Sequence, residues 1–496
     1  MLNFSPFVKK FRPFKNNLNW LSGALIIICF LIYIHSISFS YINLDDNILI
    51  EESLFYLKNP GNIFSVLNRG VFSSLGETKG IFYRPILSVS FIIDSFLSGN
   101  QPSFSRFMNI FLHGASAVLL FHFLFLITAN ELRSFFPALL FAVHPLAGAV
   151  VTWLPGRNDS LLLIFILTSF LFFILFLNKK NAVYFLLHAF FFLLSLLTKE
   201  TAIAAPVLFL FYLISVVKKK FTPGITAGFI LTWTFLTAVF FYLRSSAMLN
   251  SSSYITLEML QNTAHQFPGL FVYFGKIFLP FQLSVYSELK DSAVWPGVIF
   301  FSLLIIYLFK SETKNAGLAV FGILWFVVFL LPTFTMLENY SDGVIREHRA
   351  YLPFIGVLLS VSAINPKIRR PILKVYYLII TVILTGLTYL SYHYSFNFKN
   401  EIAFWSNSVS VSPSSAVSYF QLGLAYTRES KYDEAEKAYR KAIGIRQVLP
   451  PGAYNNLGVL YLHKGKIEEA SELFKKELEQ HPNLDEARKN LNGLKD

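Results

Sequence analysis

The sequence is poor in cysteine and in charge. Cys29 is the single cysteine in 496 residues, so neither a disulfide framework nor a cysteine-based metal site can form within one chain. Charged residues make up 14% against 54% hydrophobic, too few to coat a soluble protein of this length. A mean hydropathy of +0.53 and 55 phenylalanines direct most of the chain to lipid. A phosphate-cradling glycine loop of the nucleotide-binding type is missing, which argues against ATP-driven transport, and so is any His-x-x-x-His or His/Glu ligand spacing. The net charge of +13 would suit nucleic acid if the basic residues formed one patch. They occur instead as short clusters at the ends of apolar runs, the positive-inside pattern of a membrane protein.

The first apolar run, from about residue 20 to 42, follows Lys9, Lys10, Arg12 and Lys15. It has the roughly 20 residues that a spanning helix needs. No small-residue cleavage site closes it, so it reads as a retained helix rather than a signal peptide. Further apolar runs at 104–128, 134–153, 159–177, 181–197, 201–217, 223–243, 293–309, 316–336, 350–364 and 372–393 raise the expectation to about eleven spans. With the N-terminus cytoplasmic, Arg133, Lys179, Lys180, Lys218 to Lys220, Lys310, Lys314, Lys367, Arg369, Arg370 and Lys374 fall inside. Before residue 399 only Glu131 and Glu312 among the acidic residues share that face. The other carboxylates gather outside, and an odd number of spans puts the C-terminal segment there too.

Two outer loops are long. In the first, Pro85 to Leu97 is opened by proline and apolar, as expected of a helix lying along the membrane surface. In the second, Pro268 to Phe281 is too short to span and reads as re-entrant or interfacial. From residue 397 the composition becomes that of a charged helical domain. There Leu422, Gly423, Tyr426, Ala435 and Tyr439 recur 35 positions later as Leu457, Gly458, Tyr461, Ala470 and Phe474. This is the period of the tetratricopeptide repeat, whose paired helices need small and aromatic residues in order to stack. Two complete repeats, a half-repeat around Trp405, Val409 and Pro413, and a capping helix over Leu484 to Leu494 form a domain at 397–496 behind a membrane domain at 1–396. The expected fold class is all-α. Such an array is a binding surface by default; the alternative is a solubilising or folding cap.

Asp45 and Asp46 stand a few residues after the first span. Adjacent carboxylates beside apolar walls can have their proton affinities pushed apart, leaving one as a base; solvated loop residues are the plainer reading. Three more polar clusters lie on the same face: Gly156 to Asp159, Lys199 with Glu200, and Arg346 to Arg349. Arginine and lysine at the mouth of a lipid-facing cavity are what a phosphate or diphosphate headgroup requires. The bland alternative pairs Arg157 with Asp159 and Lys199 with a neighbouring carboxylate. Convergence of four separated loops on one side favours a site. His113, His122 and His188 lie inside apolar runs and read as hydrogen-bonded to neighbouring helices. Pro145, after His144, should kink or end the third span.

The run Tyr41 to Asp46, the group Tyr83, Arg84, Pro85 and Ile86, Phe141 to Pro145, Trp153 with Arg157, Asn158 and Asp159, Ser195 to Glu200, and Arg349 to Pro353 occur in an order that resembles the transmembrane and tetratricopeptide repeat (TMTC) family and its bacterial relatives. That family shares the C-type glycosyltransferase fold with protein O-mannosyltransferases. The resemblance runs over essentially the whole chain. It implies a polyprenyl-phosphate-linked sugar, mannose or another hexose, as donor. It also implies a protein Ser/Thr hydroxyl or a cell-envelope glycan as acceptor, engaged by the repeats. By carry-over, Asp45 or Asp46 is the general base of an inverting displacement. Arg157, Lys199 and Arg349 stabilise the leaving phosphate, with Arg84, Glu200 and His348 in the same donor-binding set. Asp159 matches an acidic residue that helps orient donor or acceptor. The pair Glu347 and His348 departs from relatives, and the array is shorter than in animal members. A divalent cation, Mg or Mn, is left open. The Phe-, Ile-, Lys- and Asn-rich composition suggests a bacterium, hence an inner-membrane protein with periplasmic repeats and undecaprenyl phosphate as carrier. Two other classes compete. A non-catalytic scaffold recruiting envelope proteins would not need so many spans. A transporter of lipid-linked sugars would hold charges near the bilayer midplane rather than at loop level.

Overall fold

The computed structural model describes residues 16–51, 53–71, 82–99, 101–217, 223–248, 257–310, 315–335, 343–364, 370–445 and 449–494. The basic clusters at Lys9 to Lys15, Lys218 to Lys220, Lys314 and Lys367 to Arg369, with Glu312, lie outside the described residues. Regular structure among the described residues is helical apart from one pair of two-residue strands.

Among the described residues, seven helices are long and apolar enough to cross a bilayer: Leu18–Ser38, Pro102–Thr128, Leu154–Lys179, Glu200–Val217, Pro223–Ala247, Ala316–Thr335 and Lys374–Phe398. The third expected span is broken. Glu131–Val143 and Pro145–Thr152 meet at 55° and make an eighth crossing if taken together. Pro145 lacks the N–H that would continue the ladder and holds His144 extended (φ −78, ψ 133), where the imidazole accepts from the Leu146 N–H at 3.2 Å. The runs expected to span at 181–197, 293–309 and 350–364 fold as Ala182–Leu196, Trp295–Lys310 and Tyr351–Ser362, of 15, 16 and 12 residues. At about 1.5 Å per residue they reach roughly 18–24 Å, short of a hydrocarbon layer of about 30 Å. By length alone, seven or eight crossings are supported among the described residues, and the three other expected spans are helices too short to meet that test.

The Tyr351–Ser362 helix is nearly all buried. It crosses Ala316–Leu330 at two glycines, Gly322 and Gly356, where an added Cβ on either would run into the other's carbonyl oxygen. Small residues let the backbones touch, the packing that membrane bundles favour. The intramembrane histidines are satisfied by neighbouring helices: His113 by the Tyr351 hydroxyl (2.8 Å) and Ala142 O (3.1 Å), His122 by Ser22 Oγ (3.2 Å), and His188 by Ser169 Oγ and the Trp233 indole N–H, both at 2.8 Å. Within the stretches 85–97 and 268–281, Pro85–Ser98 and Gly269–Phe278 form short helices.

Beyond Ser395 the chain turns through Phe396–Phe398 into Glu401–Val411, then into the helix pairs Ala416–Arg428 with Tyr432–Ile445 and Ala453–His463 with Ile467–Gln480, and ends on Asp485–Asn492. The 35-residue period has a packing cause. A Cβ on Gly423 would stand 2.5 Å from the Tyr439 ring, and one on Gly458 2.7 Å from the Phe474 ring, so each glycine is the seat for the aromatic of its paired helix. The repeats bury a core of their own around Ala435, Tyr439, Leu457, Ala470 and Phe474. Phe398, Phe404 and Trp405 belong instead to the core of the membrane bundle.

Candidate functional site

Each polar cluster is set by a local stop in a helix. Pro85 opens its helix at the first position and leaves Arg84 as the residue before it (φ −139, ψ 63); the Ile86 N–H then donates to Leu197 O at 3.2 Å. That bond brings Arg84 to the end of Ala182–Leu196, where Lys199 is extended (φ −157, ψ 138) ahead of the turn Glu200–Ala204. Asp159 sits in the first turn of Arg157–Lys179, where the helix dipole favours an anion. The strands Ser287–Glu288 and Val344–Ile345 pair antiparallel, Ser287 opposite Ile345, and deliver the chain into Arg346 and the turn Glu347–Ala350.

Arg84 donates to Glu200 Oε2 from Nε (3.3 Å) and Nη2 (3.2 Å), with its guanidinium 4.2 Å from the Phe82 ring centre. Lys199 donates to Asp159 Oδ1 at 2.6 Å. Arg349 donates to Thr333 O at 3.3 Å, and the Arg346 guanidinium lies 5.7 Å from the Tyr286 ring centre. These ion pairs are close to one another. Burial lowers the proton affinity of the Lys199 ammonium; Asp159 raises it, and Arg84 and Arg349 lower it again. His348 is held neutral, well below the ordinary imidazole value, by burial and by the fields of Lys199, Arg349, Arg346 and Arg84. Its ring packs 5.3 Å from that of Trp153. Asp45 faces the same group: burial raises its carboxyl above the usual range, and Arg346 and Arg84 pull it back. Asp45, Arg84, Asp159, Lys199, Glu200, His348 and Arg349 are therefore brought together, with Arg346 as an additional cation.

The two adjacent aspartates part company. Asp46 is fully buried, accepts the Ile42 N–H at 3.2 Å and sits within the field of Arg106, whose guanidinium ties Phe39, Ser40 and Thr152 carbonyls together. Arg157 is likewise withdrawn. It is 1% exposed and ion-paired to Asp94 at 2.6 Å rather than to Asp159; it donates to Asn109 Oδ1 and Ser105 O, both at 2.8 Å, and covers the Phe91 ring at 4.6 Å. It thus braces the helix Pro85–Ser98 against the bundle. Glu347 is also internal, accepting from Lys276 Nζ (2.5 Å) and the Tyr394 hydroxyl (3.0 Å).

Sequence reasoning did not pair Arg157 with Asp94, although a lone carboxylate in the apolar Pro85–Ser98 helix is the signal that a partner must exist. It also gave no role to Trp153 or Asn158. The Trp153 indole N–H, both amide atoms of Asn158, His348 Nδ1 and Glu200 Oε1 are buried without a hydrogen-bond partner among the described residues. Buried polar atoms of this kind are costly unless something supplies the missing bonds. For a divalent cation the fit is poor: among the described residues no group of three or more His, Cys, Asp or Glu could hold a metal ion, and Asp159 and Glu200 are taken by Lys199 and Arg84.

Residues 414–483 match the tetratricopeptide repeat family. Over 90 residues, 18% of this chain, the sequence is 36% identical to protein O-mannosyl-transferase TMTC1 of Mus musculus and, to the same extent, of Homo sapiens; the aligned stretch covers 10% of those relatives. The chain is an all-helical protein with several helices of membrane-crossing length and a C-terminal tetratricopeptide region, similar over a short stretch to a protein O-mannosyl-transferase.

Proposed function

We propose that the chain is a membrane glycosyltransferase of the C-type class. It moves a hexose such as mannose from a polyprenyl-phosphate carrier to a hydroxyl of a protein or envelope-glycan acceptor on the extracytoplasmic face. The observation that carries this reading is the convergence of four cations, Arg84, Lys199, Arg346 and Arg349, around His348, two of which, Arg346 and Arg84, also act on a carboxylate of raised proton affinity, Asp45. In the reaction the acceptor O–H proton passes to Asp45 as its oxygen bonds the sugar's anomeric carbon. The bond from that carbon to the phosphate oxygen breaks on the opposite side, inverting the centre, and the phosphate leaves with an added negative charge. Arginines and a lysine fixed by Glu200, Asp159 and Thr333 meet that charge without reorganising. Neutral His348, beside Trp153, offers Nδ1 to the sugar or phosphate.

Similarity to a protein O-mannosyl-transferase and the presence of repeats support this reading. In it the bundle at 1–396 is the transferase, the three short apolar helices cross as well to make about eleven spans, and the array at 397–496 faces the acceptor in a bacterial periplasm. The test is transfer from a synthetic polyprenyl-phosphate mannose by the purified chain. Asp45→Asn should abolish it, by about a hundredfold or more, at unchanged abundance in the membrane. Full transfer by that variant would refute the assignment. A pull-down that depends on the repeats, with no transfer to any acceptor, would turn the reading to a scaffold.

A further inference from the structure

From contacts at both its ends, we infer that the Glu401–Val411 helix holds the two loops of the proposed active site in register, and that Glu401 is a positioning residue coupling the repeat array to Asp45. The inference rests on the transferase reading for its catalytic consequence, and on geometry for the coupling itself.

At its first turn, Glu401 Oε2 accepts from Asn43 Nδ2 at 3.1 Å, two residues before Asp45, and its other oxygen accepts from Arg428, the last residue of the first repeat helix. The Glu401 side chain is only 10% exposed. The preceding carbonyl of Lys399 accepts both the Ser40 N–H (3.2 Å) and the Ser40 hydroxyl (3.0 Å). One carboxylate thus joins the Asp45 loop, the Glu401–Val411 helix and the repeats.

The far end of the same helix holds the second loop. Ser408 Oγ donates to Tyr286 O at 2.5 Å, and Trp405 packs 6.2 Å from the Tyr286 ring. Ser412 Oγ accepts the Glu288 N–H at 2.8 Å and donates to Asp291, which also takes the Ser414 N–H and hydroxyl. Tyr286 lies under Arg346, and Ser287 and Glu288 pair with Ile345 and Val344 immediately before Arg346. A domain that served only to recruit an acceptor would need a tether. This one grips the base-bearing loop at one end and the cation-bearing loop at the other. Displacements of a fraction of an ångström between a base and a phosphate site suffice to slow a displacement reaction, so the contacts set kcat.

The experiment uses the full chain in lipid nanodiscs, with tritiated synthetic polyprenyl-phosphate mannose and a Ser/Thr peptide mixture as probes. Amide hydrogen exchange is read at 40–49 and 343–350. Glu401→Ala should raise exchange at 40–49 about tenfold and lower kcat about tenfold with KM for the donor unchanged. Glu401→Gln, which can still accept from Asn43, should recover most of kcat. Asn43→Ala, at a half-buried position in the turn before Asp46, should reproduce the loss and add little to Glu401→Ala. Unchanged exchange at 40–49 in Glu401→Ala overturns the coupling. Raised exchange with unchanged kcat overturns the positioning role. A wild-type chain that transfers nothing, while an intact Asp45 loop is protected, overturns the transferase reading alone, and the exchange result then decides the coupling by itself.

Discussion

Replacing Arg157 separates two jobs that its sequence context leaves open. As a phosphate ligand it would be exposed to the donor; in the structure it is 1% exposed, 2.6 Å from Asp94 and bonded to Asn109 and Ser105. Removing one partner of a buried, hydrogen-bonded ion pair leaves the other uncompensated and costs about 3–5 kcal/mol. Arg157→Met and Asp94→Leu should each lower the unfolding midpoint, on the order of 5–10 °C for a domain of this kind. The double variant, which has no orphaned charge, should be no less stable than either single variant, giving a coupling energy at least as large as one single loss, about 3–5 kcal/mol. Cys29 makes the assay direct: it is the single cysteine, fully buried in the first helix, so a thiol-reactive dye reports opening of the bundle and nothing else. The donor KM of any variant that stays folded should be close to wild type. Additive losses, or an Arg157 variant that melts normally while its donor KM rises about tenfold or more, would refute the brace and return Arg157 to the phosphate.

Asp46→Asn should lower folded yield, because it weakens a buried contact at Ile42 and near Arg106, whereas Asp45→Asn should leave yield unchanged; expression with size-exclusion profiles distinguishes them. The acidic limb of kcat/KM reports Asp45. Transfer requires the deprotonated form, so activity rises with pH through a value already above the ordinary carboxylate range. Arg346→Gln, by removing a lowering field, should move that limb to higher pH in a pH–rate profile. Gly458→Ala puts a methyl 2.7 Å from the Phe474 ring and should cost about 1–3 kcal/mol, read as faster amide exchange across Ile467–Gln480. Glu436 is held at about 2, chiefly by a hydrogen bond from Lys464, so its contribution is present above the ordinary carboxylate value and is lost as pH falls towards 2. Lys464→Met should flatten that acid dependence in the exchange of Tyr432–Ile445.

Local signals were readable wherever chemistry and period coincide. The glycine–aromatic seats of the repeats, the break at Pro145, the helix opened by Pro85 and the satisfied histidines of the apolar helices all follow from residue types at fixed spacing. Span count is only partly legible, because composition identifies apolar runs but not where a helix stops: Tyr351–Ser362 is as apolar as a crossing yet only 12 residues long, enclosed by its neighbours. The site was half legible. That Asp45, Lys199 and Arg349 share one face can be argued from loop charges. Which of two adjacent aspartates turns inward, or whether Arg157 finds Asp94 before it finds a ligand, depends on the azimuth of each side chain around a helix or turn, and tertiary partners decide that.

The backbone crossing of Gly322 and Gly356 bears on how a lipid-borne molecule would come and go. Where two helices meet with no layer of side chains between them, nothing remains to be compressed, and sliding would drive carbonyl oxygens into neighbouring main chain. The turn carrying His348 and Arg349 rides on the head of that clamped helix, so this bank is stationary. For a lipid-borne donor bound as proposed, exchange would have to be accommodated elsewhere, and an apolar groove bordered by Ile203, Leu210, Trp233 and Thr237 lies between the helices Glu200–Val217 and Pro223–Ala247.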